Sequence, residues 1–315
     1  MPFRDHFRIR NFGFGYHRYE AFCQAQWQWP LAVFITYRLV VGGYVLFWLI
    51  YTASRHHLAN PTQPWPVWLT NWSYFLLTCH MVLAAIIAVA HGFRNRGSYC
   101  QIPGEDSPEQ ESHEKEGLRS QSAPEDILGF ESSGLTKSDE QSGETVVITP
   151  IESSIPWYFA LDWLIYTIIA NFAIIVTLSY FIFLWPLVSK YNNLDVPTIG
   201  DLNLHGINSV VIFLEICING IPVRLLHIIY PTIYGLTYII FSAIYWSFDP
   251  VHNVLYPKIL DWNHPGTTLM FLALLAFVVI PVIQLVLFGL FKLKVFISNK
   301  LDARTRDQEI TREER

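Results

Sequence analysis

Residues 201–220, DLNLHGINSVVIFLEICING, are apolar and long enough to cross a bilayer, yet they carry His205, Asn208, Ser209, Glu215 and Asn219. Polar and ionisable groups in hydrocarbon are costly, so each needs a partner, a cavity or a task. At about 100° per residue these side chains share one helix face about 120° wide. Val210, Val211, Phe213 and Leu214 largely point elsewhere. The polar face must look into a bundle rather than at lipid.

The rest of the chain supports a bundle. Of its 315 residues, 52% are hydrophobic and 15% charged, which is too apolar for an ordinary soluble domain. Trp, Tyr and Phe gather at the ends of apolar runs, where rings settle at a bilayer interface. Windows of about 20 apolar residues, enough to span the hydrocarbon core, occur six times: Leu31–Tyr51, Trp68–Ala90, Trp157–Trp185, Leu202–Ile221, Leu226–Trp246 and Gly266–Phe291. The expected fold is an all-α integral membrane protein, a bundle of six transmembrane helices. The third span is long enough to tilt, and Pro281 should kink the sixth. A very short link around Pro222–Arg224 makes the fourth and fifth a tight hairpin.

Basic residues orient the chain. Arg4, Arg8, Arg10 and Arg18 precede span one, Arg94 and Arg96 follow span two, and Arg224 joins spans four and five. Lys292, Lys294 and Lys300 follow span six, whereas the alternate loops hold only Arg55, Lys190 and Lys258. Residues 1–30 are thus expected as a cytoplasmic segment and 31–90 as spans one and two. Residues 91–156 form a cytoplasmic loop, 157–291 spans three to six, and 292–315 a charged cytoplasmic tail. The protein would sit in the plasma membrane or endoplasmic reticulum, and no cleavable signal peptide is visible. From 97 to 155 there are 13 acidic residues against 3 basic ones, a composition expected to stay disordered and open to phosphorylation at its serines.

Sequence motifs narrow the chemistry. The four cysteines form no CxxC pair. Cys79 and Cys217 read as packing residues, and juxtamembrane Cys23 or Cys100 as palmitoyl acceptors. With no P-loop, GxSxG or HExxH, no cofactor and no metal are expected, and no nucleic-acid partner. The expected partners are membrane lipids.

Several blocks together resemble the rolling-stone family of invertebrate multi-pass proteins: LHGINSVVIFLEI (204–216), IPVRLLHIIYPTIYGLTYIIFSAIY (221–245), LYPKILDWNHPG (255–266), LTNW (69–72) and ALDW (160–163). That resemblance implies a cellular role in myoblast fusion rather than a chemistry. The same blocks are more faintly similar to the androgen-induced-gene family of membrane hydrolases, which cleave fatty acid esters of hydroxy fatty acids with a threonine and a histidine. In that family the histidine stands in an Asn-His-Gly-Met-His-Thr motif, matched here at His205 and Gly206 with Ser209 for Thr. Asn208 replaces its second histidine and Leu204 its Asn. Its Leu-Thr pair is matched by Leu69-Thr70.

Depth selects the same threonine. Thr36 would lie roughly 15–20 Å from His205 along the membrane normal, whereas Thr70 would lie within about 3–5 Å in depth. Thr70 is therefore the expected nucleophile and His205 its base, acting on a lipid ester. Asn71, Asn208 and Ser209 are the candidate oxyanion donors. Glu215, near the bilayer midplane, completes the supporting polar set, with His80 or His227 as its partner. Structural readings stand beside these: Thr70 as a helix cap and His205 as a hydrogen-bonded packing residue. A non-enzymatic fusion factor and a proton-coupled transporter using Glu215, His80 and His227 are the competing functions. Asp201 reads as the N-cap of span four and Asp162 as a helix-start acid. Arg38 should snorkel toward the cytoplasm or pair with a carboxylate.

Overall fold

Prolines, and the residues before them, set where the helices begin and end. The structure, a computed structural model, describes residues 7–16, 19–59, 63–99, 155–192 and 195–313. The expected acidic loop lies almost wholly outside these residues, as does Cys100. After a short helix α1 (Glu20–Cys23), α2 (Leu31–Ala59) follows Pro30, whose carbonyl accepts from the amides of Val33 and Phe34. A 3-10 turn, Trp65–Val67, leads into α3 (Leu69–Tyr99). Extended Pro156 caps α4 (Trp157–Ser179), which continues through a π-turn, Tyr180–Leu184, into α5 (Trp185–Asn192).

The fourth span is built differently from the third. Helix α6 (Ile199–Asp201) passes into a π-turn, Leu202–Ile207, and then into α7 (Asn208–Ile218). The chain is non-helical from 219 to 224, then turns through Leu225–Ile228 into α8 (Ile229–Phe248). Asp249 is extended, the conformation that a following proline imposes. Pro265 opens α9 (Pro265–Leu274), at a position where its missing N–H is not needed. A π-turn, Leu275–Val279, joins α9 to α10 (Ile280–Glu313).

Six of these runs are long and apolar enough to cross a membrane: Leu31–His56, Leu69–Arg94, Trp157–Tyr191, Ile199–Ile218, Leu225–Phe248 and Pro265–Gln308. The expected number of spans is present, with shifted edges. The fourth span ends at Ile218, short of Ile221, and the sixth runs on in helix to Glu313. Among the described residues the only extended pairings are two isolated β-bridges.

One local expectation is corrected. Asp201 is not the N-cap of span four. Thr198 is, with its hydroxyl accepting from the Asp201 amide while the Asp201 carboxylate accepts from the Thr198 amide, a closed capping box. Near Pro281 the helix changes register. The carbonyl four residues back, on Phe277, cannot receive an amide proton from proline, and Phe277 lies inside the π-turn that takes up the misfit.

Helix α4 sits at the centre, with Trp163, Tyr166, Phe172 and Ala173 all buried in one apolar core shared with α3, α7 and α10. The outer faces stay apolar: Val40, Phe47, Ile86, Phe213, Ile240 and Phe277 are exposed. That pattern suits lipid and would be a liability in water.

A second, smaller core joins Val67, Tyr238, Leu255 and Leu260 at the end of the bundle that carries the 249–264 loop. We call this the far end. At the opposite end the N-terminal segment is strapped down. Arg224 donates through Nη1 to the Gly13 carbonyl (2.6 Å) and through Nη2 to that of Gly15 (2.5 Å), and the Tyr230 hydroxyl donates to that of Phe12 (2.6 Å).

Candidate active site

Thr70 is positioned by the way α3 starts. Trp68 is extended, so the chain turns sharply into the helix at Leu69. The entry is held from three sides. The Leu69 amide donates to the Tyr256 hydroxyl (2.9 Å), the Tyr238 hydroxyl donates to the Val67 carbonyl (2.8 Å), and Asn71 Nδ2 donates to the Trp65 carbonyl (2.7 Å). Thr70 is the second residue of α3 rather than its cap, and its side chain lines a cavity.

His205 lies on the π-turn of span four, and its ring lies flat on that of Tyr180, with centroids 3.6 Å apart and an interplanar angle of 1°. Tyr180 itself opens the π-turn of span three. Each π-turn adds a residue to its helix, and together they bring these two rings face to face. Such insertions gather at functional sites. Thr177 Oγ1 bonds to the His205 carbonyl, and among the described residues the buried Nδ1 of His205 has no hydrogen-bond partner.

Two cavities meet here. One is a chamber of about 80 Å³ walled by apolar side chains such as Phe172, Ile175, Leu260 and Phe271. The other is a wider vestibule of about 1020 Å³ that includes Asn71, Lys190, Asp201 and Lys258. Thr70, Tyr180, Leu184, His205 and Tyr256 line both. The structure thus gathers Thr70, His205 and Asn71 around a common space, together with Tyr180 and Tyr256, which sequence reasoning passed over. Tyr256 stands within the quoted block LYPKILDWNHPG. A tyrosine among aromatic-rich loops gives no signal in sequence that its hydroxyl will meet the start of another helix.

The other expected site residues go elsewhere. Ser209 Oγ donates to the Ala173 carbonyl (2.9 Å) and lies 2.6 Å from Thr177 Oγ1, which also donates to Asn208 Oδ1 (3.1 Å). Both side chains fasten span four to span three and line neither cavity. Glu215 is further removed. Its carboxylate accepts from Arg38 Nη1 (2.5 Å), the Tyr37 hydroxyl (2.6 Å) and Asn219 Nδ2 (3.1 Å). His80 Nε2 lies 3.4 Å from it, while His80 Nδ1 lies 2.8 Å from Asp162.

Glu215 therefore belongs to a buried chain, Arg38–Glu215–His80–Asp162, every member of which is fully buried. Of its two expected partners, His80 is present and His227 is not: His227 Nε2 lies 3.2 Å from the Gly13 carbonyl. The single polar face read at 100° per residue assumed an unbroken α-helix. The π-turn over 202–207 offsets His205 from the α-helical residues that follow it, and Asn219 lies beyond the last helical turn. Among the described residues no group of three or more His, Cys, Asp or Glu side chains could hold a metal ion.

Against known proteins, a family model described as Protein rolling stone matches residues 151–304, which include His205, Tyr180, Tyr256 and the vestibule lysines. Protein rolling stone of Drosophila melanogaster is 23% identical over 303 residues, covering 93% of this chain and 90% of that protein. The chain is similar to protein rolling stone. The family resemblance read from sequence is borne out along nearly the whole length. Thr70 lies within the aligned length but ahead of the family-model match. No solved structure matches.

Proposed function

We propose that this protein hydrolyses fatty-acyl lipid esters inside the membrane, with Thr70 as nucleophile and His205 as general base. The observation that carries the reading is the place of Thr70 and His205, at the meeting of an apolar chamber and a polar vestibule. An ester of this kind needs both environments at one point: hydrocarbon for the acyl chain, and water for the second half of the reaction.

Thr70 Oγ attacks the acyl carbonyl as its proton passes to His205. Collapse of the tetrahedral intermediate expels the alcohol, which takes that proton, and leaves an acyl-Thr70 ester. Water, deprotonated by His205, then releases the fatty acid. The developing oxyanion needs a donor. Asn208 and Ser209 are engaged with span three, which leaves Asn71 and the Tyr256 hydroxyl. Tyr256 accepts from the Leu69 amide, so its own proton is available to donate. Burial raises this phenol above its ordinary range and keeps it protonated.

The basic residues support an orientation with both termini in the cytoplasm and the far end, with this site, at the outer leaflet of the plasma membrane or endoplasmic reticulum. A glycosylation tag inserted between 192 and 197 should then be modified, and one at either terminus should not.

Purified protein in mixed micelles should turn over a fatty-acyl ester. Thr70→Ala and His205→Ala should each lower kcat by at least about a thousandfold while leaving thermal unfolding unchanged. Tyr256→Phe, which keeps the ring, should lower kcat by about tenfold to a hundredfold. Wild-type protein inactive on every acyl ester would sink the reading. It would favour instead a non-enzymatic role in cell fusion of the kind the family resemblance implies.

A further inference from the structure

The far end is poor in positive charge. Its loops hold three Lys or Arg residues, Arg55, Lys190 and Lys258, and two of the three, Lys190 and Lys258, line the vestibule. They come from different elements, Lys190 from α5 and Lys258 from the loop between α8 and α9. Among the described residues no hydrogen bond or ion pair holds either ammonium group.

Lys258 is also held in a costly backbone conformation. Its φ is 73°, and among the described residues no other non-glycine has a positive φ. The Ile259 amide closes a turn onto the Tyr256 carbonyl (3.1 Å), with Pro257 at the second position and Lys258 at the third. The third position of such a turn favours glycine. A lysine there gives up turn stability and places an ammonium group at the cavity mouth, next to the tyrosine that touches the start of α3. Strain of this kind collects at functional sites.

Three acidic groups of the far-end loops are engaged. Asp201 Oδ2 accepts from the amide (3.1 Å) and hydroxyl (2.7 Å) of Thr198 within the capping box. In the 249–264 loop, Asp249 accepts from the His252 amide and Asp261 from the Asn263 amide.

From this arrangement we infer that Lys190 and Lys258 form an anion-recognising rim, so the lipid entering the vestibule carries an anionic headgroup, a carboxylate or a phosphate. The inference rests on the hydrolase reading for what happens to that lipid, but not for its binding. The acyl chain would pass Thr70 into the apolar chamber while the headgroup stays at the rim, which fixes how far the ester can slide past the nucleophile.

Binding is therefore the test, read without turnover. Laurate, dodecyl phosphate and uncharged dodecanol are titrated against the full chain in a non-ionic detergent at low salt. At least one of the two anions should bind about tenfold more tightly than dodecanol, and Lys190→Gln with Lys258→Gln should bring it down to the dodecanol level. The tighter of the two anions identifies the headgroup. Lys258→Gly relieves the turn, so it should unfold no earlier than wild type yet still weaken anion binding several-fold. Equal affinity for dodecanol, or an unchanged double variant, would overturn the inference. So would a Lys258→Gly protein that loses dodecanol as much as the anions. Anion binding that survives in a protein inactive on every ester would sink the hydrolase reading alone.

Discussion

Arg38 and Glu215 show what a buried charge asks of its neighbours. Both are fully buried, 2.5 Å apart, and Tyr37, Asn219 and His80 complete the carboxylate's surroundings. Removing one partner strands the other in an apolar interior, so Arg38→Met should destabilise the protein by about 3–5 kcal/mol. Replacing both charges, as in Arg38→Met with Glu215→Leu, should recover most of that loss, which thermal unfolding in micelles can measure. That Glu215 needed a partner was legible from its place in an apolar run. That the partner would be Arg38 was not, because the two lie 177 residues apart and depth alone allowed several candidates. Cys23 makes the complementary case. It is 2% exposed, and burial, the largest cause, pushes its thiol up to about 12. It is therefore no acceptor for palmitate in the folded protein, and maleimide at pH 8 should leave it unmodified until detergent unfolds the chain.

At the scale of the element, π-turns carry the site. Helical periodicity located span four from its hydrophobicity but assumed 3.6 residues per turn, so one polar face was expected where the structure divides the residues among three surroundings. His205 goes to the cavities, Asn208 and Ser209 to span three, and Glu215 to Arg38. A π-turn leaves no mark on composition and could not be read in advance. The 249–264 loop at the cavity mouth is held partly by carboxylates. Burial raises Asp261, but hydrogen bonds from His264 and Asn263 outweigh it and hold the group below its ordinary range. Hydrogen bonds from the His252 amide and ring do the same for Asp249. A depressed carboxyl contributes stability above its unfolded value and loses it as pH falls through the folded one. Amide exchange in 249–264, corrected for intrinsic rates, should thus stay flat above about pH 5 and rise below about pH 4.

At the scale of the whole molecule, the bundle is closed at one end by its own N-terminus. The segment before span one crosses the loop between spans four and five, where Gln26 N donates to the Ile218 carbonyl (2.8 Å) and Trp27 Nε1 to that of Cys217 (2.7 Å). Gly220 permits this approach. A Cβ there would lie 2.9 Å from both the Cα and the carbonyl oxygen of Ala21, backbone atoms that cannot rotate away. Gly220→Ala should therefore cost about 1–3 kcal/mol and free the N-terminal segment to limited proteolysis. Gly43→Ala, with open space around the position, should do neither. The sequence by itself determined the number of spans and the class of fold, because hydrocarbon imposes length and apolarity on every crossing segment locally. It also singled out Thr70 and His205 as residues of similar depth, since depth follows from counting along a helix. Only the tertiary structure decided which polar groups meet. Rotation about each helix axis, the two π-turns and the fold of the far-end loop together brought Tyr180, Tyr256, Lys190 and Lys258 to the same vestibule. Those angles arise from packing between segments distant in the chain, which no local pattern records.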